Sequence, residues 1–181
     1  MAKGCKYGTH RVIEPVGAMP QTAQRLDNDM SKVYDNEILL DVIALNVDSA
    51  SFTQIEEEAG HDVDKIGKKI MEIVGARGKQ QNPVTGSGGM FIGKVVRIGS
   101  DLKDRDLKVG DKIASLVSLS LTPLKINKIV KVMPEVDRVL IDGQAILFES
   151  GIYAKLPDDM DEGSRSPPSM WPEHPRRQPS S

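Results

Sequence analysis

The chain has 181 residues, enough for one domain with a proper core and short for two. With 26 acidic and 24 basic residues its formal charge is -2, which provides no basic surface for nucleic acid, and no apolar run approaches the roughly 20 residues of a membrane helix. The opening MAKGCKYGTH lacks the apolar stretch of a signal peptide, and a lone cysteine, Cys5, excludes a disulfide framework and a cysteine zinc cluster, so a cytoplasmic protein is expected.

In chain order, the first strong element is Glu37 to Val47, EILLDVIALNV, whose only interior polar residues are Asp41 and Asn46. This pattern predicts a mostly buried strand. Glu56, Glu57 and Glu58 come next as an acid run of the kind that favours a solvated helix start. Val63, Ile66, Ile70, Ile73 and Val74 then recur at helical spacing. Asp62 is placed to cap that helix, and Gly75 and Gly78 are placed to lie past its end.

The stretch Gly86 to Gly99, GSGGMFIGKVVRIG, has the look of a phosphate-binding loop, but its third fingerprint glycine falls on Phe91. The residues after Phe91 are strand-like, so no helix N-terminus would face a phosphate. The P-loop pattern also fails for want of a closing Gly-Lys-Ser/Thr. Further on, a turn is expected at Val109-Gly110-Asp111, and DRVLIDGQAILFE reads as two strands joined by a hairpin turn at Asp142-Gly143. The sum is a β-rich α+β domain, a partly open barrel with one main helix, over residues 1–160. Residues 161–181, rich in Pro, Ser and Arg, read as a disordered tail.

The residues GGMFIGKVVRIGSDLKDRDLKVGDKIAS resemble the GroES-like domain of medium-chain dehydrogenases, with Gly93, Val95, Gly99, Gly110 and Asp111 on its marks. On that register Asp48 takes the position of the first catalytic zinc ligand and Gly89 that of the usual histidine. A zinc-free member is therefore implied. A closer resemblance, carried by GCKYGTHRVIEPVGAMPQ, EILLDVIALNVDSASFTQI, NPVTGSGGMFIGKV and AKLPDDMDEG, is to the L-erythro-3,5-diaminohexanoate dehydrogenase family. The resemblance implies oxidative deamination of 3,5-diaminohexanoate to 5-amino-3-oxohexanoate in lysine fermentation. It also implies NAD or NADP as cofactor and a homo-oligomer in the full-length protein. The family's Rossmann domain, which carries the cofactor, is absent here, so this chain alone is expected to be inactive. The tail bears on that absence: Ser169 to Arg177 can be encoded so that a shifted frame reads on into the family's continuation. Hence the expectation of a frameshift product, with a native disordered tail as the alternative.

Oxidising an amine by hydride transfer needs a base, and a diamino acid needs carboxylates for its ammonium groups and a cation for its own carboxylate. Asp48, at the end of the predicted strand, is the first candidate, as base or ammonium anchor; the competing role is a simple cap of the next turn. His10 is the second catalytic candidate, as a proton shuttle. Tyr7, Arg11, Glu56 and Glu57 are candidate substrate-binding residues, with surface or packing roles as the alternative for each. Two other functions share the same fold: a zinc-free reductase of the quinone oxidoreductase kind, and a non-catalytic GroES-like binding module. The acidic residues around Asp48 favour a cationic substrate over a neutral one.

Overall fold

The computed structural model describes residues 3–157. The expected tail at 161–181, its frameshift reading and the boundary at 160 lie outside the described residues. Among the described residues the fold comprises eight strands and two α-helices: β1 (Val12–Glu14), β2 (Arg25–Leu26), β3 (Glu37–Val47), α1 (Ser49–Glu58), α2 (Val63–Arg77), β4 (Gly89–Ile98), β5 (Lys112–Ser115), β6 (Leu124–Met133), β7 (Arg138–Phe148) and β8 (Tyr153–Leu156). β1 and β2 make a small antiparallel pair, and the other six strands make one sheet in the order β6-β7-β3-β4-β5-β8, every neighbouring pair antiparallel. The two edge strands do not pair, so the sheet stays open. This is the β-rich α+β, GroES-like architecture the sequence predicts.

β3 explains itself. It lies between β7 and β4, and a central strand covered on both faces needs a near-continuous apolar run. Asp41 is its one exposed residue. Leu45, Phe52, Ile66, Ile70, Phe91 and Val139, drawn from strands and both helices, share a single core. Asp62 caps α2 as expected, its carboxylate accepting from the Asp64 and Lys65 N–H groups at 2.9 and 3.4 Å.

α2 is the main helix the sequence predicts, and three other expectations need correction. The shorter α1 escapes the pattern because only Phe52 and Ile55 mark its buried apolar face, too short a run to show a period. The glutamates 56–58 consequently sit in the last turn of α1 and not at a helix start. Gly75 lies inside α2, on its exposed side, and Gly78, at φ 68°, alone ends the helix.

The third correction concerns Asp142-Gly143, which is no hairpin. β7 runs unbroken through it, and the turn into β7 lies at Pro134–Val136, closed by Asp137 at φ 54°. Gly143 stands opposite Val42 of β3 and Ile126 of β6, where both neighbours slip register. A Cβ there would collide with the Lys125 carbonyl oxygen, so the glycine serves close strand approach and not a turn.

Candidate functional site

β3 ends at Val47, and the chain turns directly into α1 with Asp48 as the N-cap residue. Its carbonyl accepts the Phe52 N–H at 2.8 Å, and its own N–H donates to the Gly88 carbonyl at 2.9 Å. The side chain does not cap: no hydrogen bond runs from the helix N–H groups to its carboxylate. An aspartate at this position ordinarily satisfies one of those donors. Here the half-buried carboxylate has no partner among the described residues.

Instead Asp48 lines a cleft of about 570 Å³. One wall is the glycine stretch from Thr85 to Met90, and another is the segment Leu116 to Ser120. The remaining lining comes from Asn46, Val47 and Gln21, which leaves Asp48 as the one ionisable side chain among the lining residues. Hydroxyls dominate the far side. Ser118 Oγ lies 2.7 Å from Ser120 Oγ and accepts the Ser120 N–H at 3.1 Å, and Thr85 Oγ1 lies 2.9 Å from Ser87 Oγ. A cleft with one anionic group and a neutral polar rim suits a cation with hydrogen-bonding substituents.

The glycine stretch thus belongs to the site without holding a phosphate, since it opens β4 and not a helix. Gly89 has φ 135°, and a Cβ on it would collide with the Asn46 carbonyl oxygen. The position where zinc-dependent relatives of this fold class are expected to carry histidine has no room for a side chain here. Among the described residues no three or more His, Cys, Asp or Glu gather in a way that could hold a metal ion.

The other sequence candidates are not brought to this cleft. Arg11 is fully buried at the opposite end of β3, roughly 35 Å away by strand rise. Its five N–H donors are all used: Nε and Nη2 form a fork on Glu37 at 2.9 and 2.7 Å, Nη1 reaches the carbonyls of Asp27 and Asp29 at 3.1 Å, and Nη2 also reaches that of Lys32 at 2.5 Å. No donor remains for a substrate carboxylate. His10 Nδ1 accepts the Cys5 N–H at 2.8 Å, so Nε2 carries the proton and donates to Glu37 at 2.7 Å. Both ring nitrogens are occupied, and the ring packs edge-on against Tyr34 and Phe148. Tyr7 is exposed beside Lys6. Glu56 meets His61 at 3.3 Å and Glu57 is solvent-facing, both away from the cleft lining.

Sequence reasoning missed Glu37, the acceptor that gathers Arg11 and His10. It also missed the buried polar run Lys79, Gln80, Gln81 and Asn82 between α2 and β4. Lys79 Nζ donates to the Pro20 carbonyl at 2.7 Å, in the loop that delivers Gln21 to the cleft. Burial, with the nearby Arg77 charge adding to it, lowers the Lys79 pKa to about 7. The one available signal was Asn82-Pro83, a dipeptide that marks turns.

An open, strand-rich sheet with a cleft at the end of its central strand defines the class, a β-rich α+β domain of the GroES-like kind. The chain belongs to the L-erythro-3,5-diaminohexanoate dehydrogenase family, for residues 10–157 match the family described as the N-terminal domain of that enzyme. It is 71% identical over 163 residues to L-erythro-3,5-diaminohexanoate dehydrogenase of Fusobacterium nucleatum subsp. nucleatum, a match covering 90% of this chain and 47% of that protein. It is also 71% identical over 161 residues to the enzyme of the same name from Acetoanaerobium sticklandii, covering 88% and 46%. The chain therefore spans about half the length of these relatives. Among the described residues no helix is long and apolar enough to cross a membrane.

Proposed function

We propose that this chain is the substrate-side part of an NAD(P)-dependent dehydrogenase that deaminates 3,5-diaminohexanoate oxidatively at C3. With water as the second reactant, supplying the ketone oxygen, the products are 5-amino-3-oxohexanoate, ammonia and the reduced cofactor, and lysine fermentation supplies the substrate. The reading rests above all on Asp48, a half-buried carboxylate with no partner among the described residues, in a cleft whose other lining groups are neutral. The names of the relatives support the substrate class.

In this proposal Asp48 holds a substrate ammonium by a charge-assisted hydrogen bond, and can accept a proton from it before the C–N carbon is oxidised. The hydroxyls of Ser118 and Ser120 face the same space and orient the substrate's polar groups. The nicotinamide cofactor that such a reaction requires as hydride acceptor is assigned to the half of the longer relatives outside the match. The described residues do not fit it, because the glycines enter a strand where a dinucleotide needs a helix N-terminus. The proposal assigns no zinc, since among the described residues no donor set for one gathers.

An NMR titration of the 181-residue chain with 3,5-diaminohexanoate tests the reading. Saturable shifts centred on Asn46–Asp48 and Gly86–Met90 are expected. Shifts that do not saturate, or that centre on Glu37 and its partners, would overturn it.

A further inference from the structure

Asn82 is 1% exposed, and every hydrogen-bonding group it has is engaged. Its Oδ1 accepts the Val84 and Thr85 N–H groups at 2.7 and 3.4 Å. Its backbone N–H donates to the Ser87 carbonyl at 3.0 Å, and its carbonyl accepts the Gly86 N–H at 2.7 Å. These four bonds close residues 82–87 into a compact loop whose far side is the glycine wall of the cleft. Its Nδ2 points the other way, donating to the Ser51 carbonyl at 3.2 Å and to Gln54 Oε1 at 2.7 Å, both on α1.

α1 is the helix that Asp48 begins. One buried amide thus ties the element carrying the cleft's carboxylate to the loop forming the facing wall. The two walls also touch directly, through the Asp48 N–H donating to the Gly88 carbonyl at 2.9 Å. We infer that Asn82 is a positioning residue of the cleft, setting the span between Asp48 and the Thr85–Gly89 wall, and hence how tightly a short diamino acid is held. The inference rests on the reading of the Asp48 cleft as the substrate site. Asparagine suits the task because it alone among side chains of this length offers two acceptor directions to the loop and two donors to the helix.

Two variants of the full 181-residue chain separate positioning from mere loop stability. Asn82→Asp keeps the acceptor for Val84 and Thr85 but loses both donors to α1; Asn82→Ala loses both halves. Amide hydrogen exchange reads the geometry without any ligand, and titration with 3,5-diaminohexanoate reads the cleft. Asn82→Asp is expected to leave Val84 and Thr85 protected, to speed exchange at the Asp48 amide tenfold or more, and to weaken binding tenfold or more. Asn82→Ala is expected to weaken binding to a similar degree while also exposing Val84 and Thr85. If Asn82→Asp keeps the Asp48 amide protected, or binds as tightly as the parent chain, the inference is overturned. If the parent chain itself binds nothing, the substrate reading fails, and the Asp48 exchange rate alone decides whether Asn82 sets the span.

Discussion

Arg11 and Glu37 form a fully buried fork, with Nε and Nη2 donating to the two carboxylate oxygens at 2.9 and 2.7 Å. The same carboxylate accepts the Tyr34 N–H at 3.0 Å and His10 Nε2 at 2.7 Å, so all four of its acceptor directions are filled. The pair anchors the N-terminal segment and the 27–32 loop to the head of β3. Removing one partner leaves the other as an uncompensated buried charge, which costs about 3–5 kcal/mol. Arg11→Met is expected to lower stability by that amount in urea denaturation. Stability within about 1 kcal/mol of the parent would place Arg11 outside the framework and reopen a role in binding.

Glu37 also sets a pH dependence. Burial alone would raise its carboxyl pKa, but hydrogen bonds from His10, Arg11 and the Tyr34 N–H outweigh it and bring the value from 4.5 down to about 2. The unfolded chain takes up the proton first as pH falls, so this stabilisation is complete above about 4.5 and drains away towards 2. It amounts to ~3 kcal/mol. Denaturation midpoints between pH 5 and pH 2 should fall steeply for the parent chain and less steeply for Glu37→Gln.

Lys79 gives a slope of the opposite origin. Its folded value of about 7 lies below the ordinary lysine value of 10.5, so between those limits the unfolded state binds the extra proton. Stability contributed by this group therefore rises with pH from about 7 upward, and below 7 the cost of the buried charge is fully present. Comparing denaturation midpoints at pH 7 and pH 9 should show a gain for the parent chain that Lys79→Met lacks. Parallel behaviour of the two proteins would mean that the ammonium is not desolvated as its burial implies.

Gly143 offers a test of strand packing. With the Lys125 carbonyl oxygen where a Cβ would stand, Gly143→Ala must push β6 from β7 and is expected to cost about 2–3 kcal/mol. Gly75→Ala, in the exposed interior of α2 with open space around it, should instead stabilise by about 0.5–1 kcal/mol. Equal effects at the two positions would contradict the assignment of Gly143 to a close strand crossing.

These glycines also mark how far the sequence could be read. β3, α2 with its Asp62 cap and the strand from Phe91 were legible because their apolar pattern follows local burial. Asp142-Gly143 misled because a hairpin turn and a close strand crossing both call for glycine, and only the neighbouring strands tell them apart. The place of Asp48 at a strand end was legible from the apolar run before it. Arg11 and His10 were singled out for chemistry, and the structure engages both with Glu37. That partner, Glu37, heads a strand and shows no local sign that it is buried. Asn82 was invisible for a related reason: its bonds to Ser51 and Gln54 cross 31 and 28 residues of chain.

The most direct test of the central claim is a crystal structure of the chain with 3,5-diaminohexanoate bound. A substrate nitrogen within about 3 Å of an Asp48 carboxylate oxygen, with the glycine wall closing the other side, is the expected result. A ligand seated elsewhere, or one whose nitrogens point away from Asp48, would contradict the assignment of this cleft as the amine-binding site.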